Sequence, residues 1–338
     1  MISIIIPTAN RPEMLRTALR SIAAQTALSR IEEIIVSENV ADKGSSQVCA
    51  EFAQLPIRYI LREPSLPQQA HWMALATAPL KGELVAVLHD DDWWDRHHLA
   101  LAIEAMENHP PAAAYYASTF FVTGESSILS SFENLAFWFG AAYPPLNSLW
   151  ELNREEVALA TLINTPGLYS TLVTRREALK KATDACSMDN PYDKDRMLTF
   201  ALSSLGSILF QPTPQVYIRV HSHQDTFSFS DSTRKDHACA TTDWIISSYG
   251  TGWDKILDAF AERIAKCPSA AWPTLRHYVM KPWCLPLLVQ RADNSSRIAK
   301  LYDSIRPKNV GLKRFFRQTL PPFIFETVAH LGRMMKKP

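Results

Sequence analysis

The first 120 residues alternate between two hydrophobic periodicities, and this alternation constrains the fold more than any other feature. Short aliphatic runs, among them Ile2–Ile6, Ile34–Val36 and Leu84–Leu88, are separated by segments in which apolar residues recur every three or four positions. Strands that are apolar on both faces and joined by helices are typical of a mostly parallel sheet with helices on both sides. The sequence therefore predicts an α/β fold, with later strands at Tyr169–Thr174, Ile208–Gln211 and Val216–Val220, followed from about residue 235 by a mainly helical region.

The composition argues against several classes of protein. The 338 residues are 47% hydrophobic and 20% charged, which fits a folded chain of one large or two smaller domains. A net charge of +1 disfavours a broad electrostatic surface for nucleic acid. The five cysteines are scattered without a CxxC pair, which favours reduced thiols over a disulfide framework or a zinc site. No segment reads as a membrane span or export signal, so we expect a cytoplasmic protein.

Parallel sheets bind ligands where their strands end, at the carboxyl edge. Four polar loops follow predicted strands at that edge, at 7–11, 37–43, 62–68 and 89–95. None contains the glycine-rich sequences GxGxxG or GxxxxGK(S/T), and the chain has no GxSxG. These absences disfavour a nicotinamide dehydrogenase, a P-loop NTPase and a serine hydrolase.

Three consecutive carboxylates, Asp90, Asp91 and Asp92, follow the apolar run Leu84–Leu88. Like charges this close repel each other, and a divalent cation removes that repulsion. Mg²⁺ and Mn²⁺ take oxygen ligands, often one or two carboxylates together with substrate phosphates. The triplet therefore indicates a metal site at the predicted ligand-binding edge, and the alternative is a solvated acidic turn.

Four motifs, in order along the chain, resemble those of family 2 glycosyltransferases of GT-A fold. Ser3–Thr8, with Asn10–Pro12 behind it, is similar to the start of the family, and Ile34–Asn39 to its second strand. Gln69–Trp72 and Gly82–Val85 look like the helix and strand that lead into the family's Asp-x-Asp motif. The resemblance covers about residues 1–225. It implies an enzyme that transfers a sugar from a nucleotide-sugar to an acceptor hydroxyl with inversion.

The resemblance also implies a domain division and roles for individual residues. A nucleotide-binding half (1–120) and an acceptor half (121–225) would precede a helical extension (226–338). Mn²⁺ or Mg²⁺ would be held by Asp91 and Asp92. The donor, a UDP-, GDP- or dTDP-sugar, would contact residues that end the first two strands or flank the acidic loop: Pro7, Thr8, Asn10, Arg11, Glu38, Asn39, Asp90 and Arg219.

The chain departs from the family pattern at two of these positions. His89 stands where the family often has Asp, and Glu38 where it more commonly has Asp. With His89 in that place the metal ligand falls on Asp91, while Asp90-x-Asp92 remains an alternative reading. The change at Glu38 would alter how the base or ribose is held.

A second acidic cluster lies about 100 residues further on, at Asp193 and Asp195. It resembles the family's acidic motif at the start of a helix, which supplies the base that accepts a proton from the attacking hydroxyl. Counting back from Gly206 places Asp195 on the base and Asp193 second. A helix N-terminus stabilises a carboxylate as an anion. The alternative is that either residue caps the helix.

Strand alternation puts Arg219, His221 and His223 on one face of a predicted strand. This segment resembles a family tail motif in which Arg and His follow the last strand. By that resemblance Arg219 would neutralise leaving-group charge, and His221 would ligate the metal or bind the diphosphate. The alternative is a polar strand face at the surface.

Residues 308–338 carry seven Lys or Arg against one Glu, mixed with Phe, Leu and Met. Basic residues with exposed apolar ones suit an anionic membrane surface, so we expect 312–338 to contact the inner face of the membrane peripherally. The alternative is a helical hairpin packed on the body. Together with the family resemblance, this tail favours a glycan or lipid-linked acceptor in surface polysaccharide or lipid-linked glycan assembly.

Two other functions fit parts of the pattern. A metal-dependent nucleotidyltransferase can also use an α/β sheet and an acidic loop, but it usually has a glycine-rich phosphate loop near the N-terminus, which this sequence lacks. A catalytically inactive glycan-binding or scaffold protein would retain the fold with a defunct site. Nucleotide binding with and without Mn²⁺ distinguishes the enzymes from the scaffold.

Overall fold

The computed structural model describes residues 1–40, 43–123, 127–131, 148–186, 193–221, 230–267, 272–292 and 297–305. The strands are β1 (Ile2–Thr8), β2 (Ile31–Glu38), β3 (Ile57–Leu61), β4 (Leu84–Val87), β5 (Trp93–Trp94), β6 (Ala112–Thr123), β7 (Ser127–Ser131), β8 (Trp150–Leu152), β9 (Val173–Arg175) and β10 (Ser207–Arg219). The helices are α1 (Pro12–Ala23), α2 (Ser45–Glu51), α3 (Gln68–Ala76), α4 (His98–Asn108), α5 (Arg154–Ile163), α6 (Arg176–Ala185), α7 (Lys194–Leu202), α8 (Asp231–Tyr249), α9 (Trp253–Ala265), α10 (Trp272–Val279), α11 (Leu285–Arg291) and α12 (Arg297–Ile305). One-turn 3-10 helices lie at Leu28–Arg30 and Tyr169–Thr171.

The strands of the described residues form one mixed sheet in the order β3-β2-β1-β4-β9-β6-β10-β5, with β7 on β6 and β8 on β10. β1 runs parallel to β2 and β4, β2 to β3, and β6 to β10. β9 is antiparallel to both of its neighbours. The α/β fold with a mostly parallel sheet is therefore confirmed, with antiparallel strands added in its second half.

Burial explains why β1 lies inside this sheet. Its Ile4, Ile5 and Ile6 are fully buried, as expected for a strand covered on both faces. The apolar stripe of α1, from Leu15 to Ile22, packs in the same core as Ile4 and Ile6. Each such side chain contributes about 1.5–3 kcal/mol by leaving water. This core fixes the ends of the strands, and with them the loops that carry the candidate site.

Two predicted strand regions have a different form in the structure. The run Tyr169–Thr174, predicted as a strand, begins with a 3-10 turn, because the Thr171 hydroxyl and backbone N–H both donate to the Leu168 carbonyl. The predicted strands Ile208–Gln211 and Val216–Val220 are one strand, β10, whose pairing with β6 shifts register on either side of Pro214. Proline lacks an N–H to donate, and such irregularities accommodate it without ending the strand.

The chain forms two compact units. The first comprises the described residues within 1–132, 146–154 and 167–220 and contains the sheet. The second comprises Glu155–Pro166 and the described residues from His221 onward, which are largely helical, as the sequence predicts beyond residue 235. The predicted boundary at residue 225 stays a prediction. In the part of the chain that the structure describes, no helix has the length and apolar character needed to cross a bilayer.

Candidate active site

The end of β1 and the acidic loop meet at the carboxyl edge of the sheet. β1 and β4 are parallel neighbours, so Pro7 and Thr8 leave the sheet on the same side as the loop His89–Asp92. Thr8 Oγ1 donates a 2.7 Å hydrogen bond to Asp90 Oδ2. The structure thus brings together two of the loops that the sequence places at this edge.

Asp90 is a buried carboxyl group in a crowded acidic loop. Burial, and then the charge of Asp91, raises the pKa of Asp90 to about 7, while Arg11, Thr8 and the backbone N–H of Ala9 act in the opposite direction. Arg11 Nη1 lies 3.3 Å from Asp90 Oδ1 and 3.2 Å from Asp91 Oδ2. One guanidinium therefore faces two carboxyl groups of the loop.

Asp92 is held by donors from two other segments. Ser170 Oγ donates to Asp92 Oδ2 at 2.5 Å, and the backbone N–H of Arg219 donates to Oδ1 at 3.0 Å. Burial nevertheless raises the pKa of Asp92 well above its usual value, and Asp91 adds to this shift. Asp92 therefore sits in a site that disfavours its ionised form, as Asp90 does.

Arg219, a predicted donor-binding residue, lies beside the same loop. Its Nε donates to the main-chain carbonyl of Asp91 at 3.0 Å, and its guanidinium lies 4.9 Å from the centre of the Trp93 ring. The backbone carbonyl and the aromatic face position this side chain. Arg219 thus brings a positive charge to the rim of the acidic loop.

The structure also groups side chains that suit a divalent cation. Among the described residues, His89, Asp91 and Asp92 each offer one ligand atom, and these atoms lie within 4.8 Å of one another. Carboxylate oxygens suit Mg²⁺ and Mn²⁺, whereas an imidazole nitrogen suits a transition metal, so this donor set fits Mn²⁺. The sequence marks His89 only as a departure from the family motif. His221 belongs to the second unit and is not a member of this group, so its metal role stays a prediction.

Glu38, Asn39 and Asn10 organise the ends of β1 and β2. The buried Glu38 carboxylate accepts hydrogen bonds from Ser45 Oγ at 2.7 Å and from the Asn10 backbone N–H at 3.1 Å. Asn10 has φ of 57°, in the left-handed region that Asn tolerates better than most residues. The Asn39 side chain bonds to both the N–H and the carbonyl of Leu66. These residues fix the loops around the predicted donor site, and their direct contact with a donor stays a prediction.

The 3-10 turn Tyr169–Thr171 joins the acidic loop to the second acidic cluster. Besides donating to Asp92, Ser170 Oγ accepts from the backbone N–H of His89 at 3.1 Å. The adjacent backbone N–H, that of Tyr169, donates to the Asp195 carboxylate. The β-rich composition of this segment predicts a strand, so the turn is not apparent from the sequence. In the sequence, Gly167 followed by the polar residues Ser170 and Thr171 is the feature that could have indicated a turn. In the structure, a Cβ at position 167 would lie 2.1 Å from the Tyr116 ring.

Asp193 and Asp195 differ in their surroundings. Asp193 precedes α7 but makes no capping hydrogen bond, and its Oδ2 instead accepts from Nη1 of the buried Arg196 at 2.8 Å. The capping alternative is therefore wrong for Asp193. Asp195 lies in the first turn of α7, where burial and then the charge of Asp193 raise its pKa to about 7. A carboxyl group with such a pKa is matched to accepting a proton near neutral pH.

The family model for glycosyl transferase family 2 matches residues 3–181, more than half of the chain. The chain belongs to glycosyltransferase family 2. This membership confirms the resemblance drawn from the sequence motifs and favours a sugar transferase over a nucleotidyltransferase. A comparison with curated proteins gives no match.

Solved structures share the fold of this glycosyltransferase at low sequence identity. Residues 1–349 of S. aureus TarS, in complex with UDP-GlcNAc, are 15% identical, with a TM-score of 0.59 over 90% of each chain. The mannosyltransferase PcManGT from Pyrobaculum calidifontis, in complex with GDP-Man and Mn²⁺, is 16% identical, with a TM-score of 0.53 over 97% of this chain and 83% of that one. At these identities the likeness shows a common GT-A-type fold.

Proposed function

We propose that this family 2 glycosyltransferase moves a sugar from a nucleotide-sugar to an acceptor hydroxyl with inversion, and that it uses Mn²⁺ in preference to Mg²⁺. One observation carries the proposal. The turn Tyr169–Thr171 bonds through Ser170 to Asp92 of the acidic loop and through Tyr169 to Asp195. One turn therefore contacts both the acidic loop, where the leaving diphosphate would lie, and the candidate base, which supports a group transfer between them.

The donor diphosphate would lie at the carboxyl edge of β1 and β4. Arg11 and Arg219 are close to this edge, and a guanidinium pairs well with phosphate oxygens. His89, Asp91 and Asp92 would hold the cation. When bound, a divalent cation supplies positive charge to the departing diphosphate.

Asp195 would act as the base. Its carboxylate accepts the proton of the acceptor hydroxyl while that oxygen attacks the anomeric carbon from the face opposite the diphosphate. The bond between the anomeric carbon and the diphosphate oxygen breaks, so the products are an inverted glycoside and a nucleoside diphosphate. The Tyr169 N–H orients the Asp195 carboxylate, and the buried Arg196 partners Asp193, which leaves Asp195 as the better proton acceptor.

The acceptor proposal rests on the sequence of the tail. Segment 312–338 lies outside the described residues, and it mixes basic with apolar side chains. Such a segment suits an anionic lipid surface. We therefore propose an acceptor from surface polysaccharide or lipid-linked glycan assembly, with the enzyme bound peripherally at the inner face of the membrane.

The test is a donor panel of UDP-GlcNAc, GDP-mannose and dTDP-glucose, each with Mn²⁺, with Mg²⁺ or with EDTA. Nucleotide binding is followed by calorimetry, and product release is measured with a saccharide acceptor. Release of nucleoside diphosphate that needs metal supports the proposal, whereas pyrophosphate release indicates a nucleotidyltransferase. Absence of nucleotide binding in every condition indicates a scaffold. Asp91→Ala should abolish metal-dependent binding, and Asp184→Ala, at an exposed position of α6, is the matched control.

A further inference from the structure

Arg11 forms an ion pair with Asp91, which is one of the carboxylates of the proposed metal site. Its Nη1 contacts Asp91 Oδ2 at 3.2 Å, and Asp91 is also one of the three residues whose ligand atoms cluster within 4.8 Å. The Asp91 side chain is 11% exposed and that of Arg11 24% exposed, so water screens this ion pair only in part. The Asp91 carboxylate therefore pairs with the Arg11 guanidinium and also belongs to the candidate cation site.

Two positive charges beside one carboxylate repel each other. A cation that binds Asp91 while Arg11 stays in place meets this repulsion in a poorly hydrated loop, where charge interactions are stronger than in water. The Arg219 guanidinium donates to the Asp91 carbonyl and lies over the Trp93 ring. Arg11 contacts the Asp91 carboxylate itself, so its charge competes directly with a cation there.

A nucleotide diphosphate changes this balance. Its oxygens offer the Arg11 guanidinium new acceptors in the forked geometry that arginine prefers. Arg11 sits immediately before α1, at the end of β1 where the donor is proposed to lie, and its side chain is partly exposed. Once the Arg11 guanidinium pairs with phosphate oxygens, its positive charge interacts less strongly with Asp91. The Asp91 carboxylate then becomes available to a cation.

We propose that Arg11 is a built-in counter-ion that makes the divalent cation and the nucleotide diphosphate bind together rather than the cation alone. This inference rests on the proposed donor function of the same site. Thermodynamic linkage requires that the nucleotide raise cation affinity by the same factor by which the cation raises nucleotide affinity. Arg11 is a positioning residue for this coupling.

The experiment measures Mn²⁺ binding by electron paramagnetic resonance on the full chain, with and without UDP or GDP. For the wild-type protein we expect either nucleotide to tighten Mn²⁺ binding about tenfold or more. Arg11→Met keeps the apolar stem but removes the charge. It should bind Mn²⁺ alone about tenfold more tightly than wild type, bind the nucleotide alone more weakly, and lose most of the coupling. Arg11→Lys, which keeps the charge, should restore weak binding of Mn²⁺ alone.

Arg16→Met is the matched control. Arg16 lies on α1, the helix that Arg11 precedes, and it pairs with Glu51 at 2.7 Å and with Glu13, so its loss removes the same charge without removing the Arg11 partner of Asp91. Its Mn²⁺ affinity should equal that of wild type. A loss of protein stability alone would not move Mn²⁺ and nucleotide affinity in opposite directions.

Two results would overturn the inference while leaving the proposed function intact. One is Arg11→Met binding Mn²⁺ alone no more tightly than wild type. The other is a wild-type protein whose Mn²⁺ affinity is the same with and without nucleotide, a measurement that decides the matter even where the variant does not fold. If the wild type binds Mn²⁺ in neither condition, the proposed metal site fails, and the inference fails with it.

Discussion

Asp195 shows how the surroundings of one residue set its chemistry. Its raised pKa, about 7, means that the carboxylate becomes a proton acceptor only near neutral pH. Asp195→Asn keeps the shape of the side chain but removes its basicity, so transfer should fall by about 10²- to 10⁴-fold while nucleotide affinity stays unchanged. Product formation and calorimetry measure the two quantities. Asp184→Asn, at an exposed position of α6, should match wild type in both. A full-rate Asp195→Asn enzyme would move the base to Asp193 or elsewhere.

The same half-buried carboxyl group should cost the folded protein stability. Its folded-state pKa lies above the ordinary value of an aspartate, so the folded protein holds this proton more tightly than the unfolded chain. Stability is then lost as pH rises from about 4 to about 7. Asp195→Asn removes that loss and should be more stable by about 1–3 kcal/mol at pH 8, a range reduced because the residue is partly exposed. In urea unfolding this gain should grow between pH 5 and pH 7 and then level off. If the stability gain of Asp195→Asn did not depend on pH, it would come from packing rather than from loss of the titrating group.

We expect His89 to set which metal ion the proposed site prefers. An imidazole nitrogen favours a transition metal, whereas Mg²⁺ favours oxygen. His89→Asn should therefore weaken Mn²⁺ binding in the presence of nucleotide by about tenfold or more, and Mg²⁺ binding by less. Metal-dependent calorimetry with UDP or GDP measures both affinities. His97→Asn, at an exposed position nearby, is the control and should change neither. Equal losses for both ions would remove His89 from the ligand set.

At the level of single residues, the sequence predicted the positions of the acids but not their partners. The triplet at Asp90–Asp92 follows a buried strand, and the strand rule alone puts it at the ligand edge. Ser170 reaches Asp92 from 78 positions along the chain, and no local pattern encodes such a contact. Likewise the sequence offered two acids at the start of α7, and their surroundings differ through contacts that it does not encode: Asp193 pairs with the buried Arg196, and Asp195 accepts from the Tyr169 N–H.

Among the structural elements, the 3-10 turn Tyr169–Thr171 connects the two halves of the site. Ser170→Ala removes the hydroxyl that donates to Asp92 and accepts from the His89 N–H. Changes of this kind around a metal ligand weaken metal binding by about 10–100-fold, and we expect that loss in Mn²⁺ affinity measured with nucleotide present. Ser170→Thr keeps the hydroxyl and should recover most of the affinity.

The control for this turn is Thr171→Val. Its hydroxyl donates to the Leu168 carbonyl within the turn rather than to the acids. This variant should lower the unfolding temperature but leave Mn²⁺ affinity nearly intact. If Thr171→Val and Ser170→Ala lower Mn²⁺ affinity equally, the turn matters through its fold and not through the Ser170 hydroxyl.

Elements were predictable where one periodicity ran uninterrupted. The β1 isoleucines and the α1 stripe are long and regular, and their burial in one core explains why both assignments held. The segment 169–174 is short and rich in β-branched residues, so its composition concealed a turn closed by hydrogen bonds of Thr171. In β10 the sequence predicts two separate strands, Ile208–Gln211 and Val216–Val220, whereas pairing with β6 joins them into one strand that includes Pro214.

At the scale of the whole molecule, the described residues divide into a sheet-containing unit and a largely helical one. The candidate base, the acidic loop and the turn between them all belong to the first unit. The chemistry proposed here therefore depends on contacts within one core, which explains how sequence motifs spread over 1–225 could indicate a single site. Charge is distributed unevenly along the chain. The whole chain has a net charge of +1, but residues 308–338 alone carry seven Lys or Arg and one Glu.

That uneven charge supports a prediction about the whole protein. A chain that ends at residue 311 lacks six Lys or Arg and the apolar residues among them, so it should bind phosphatidylglycerol vesicles more weakly than the full chain. Each basic residue near an anionic surface contributes about 1 kcal/mol, and salt screens this attraction, so the difference should be largest at low ionic strength and small at 0.5 M salt. Sedimentation with vesicles measures the partition, and neutral phosphatidylcholine vesicles should show little difference between the chains.

The affinity for nucleotide should be the same in both, because the candidate donor site lies in the first unit. Unchanged partition combined with a lower unfolding temperature would instead mean that 312–338 packs on the body as a helical hairpin, since a segment that leaves a folded core costs stability whereas one that serves a lipid surface does not.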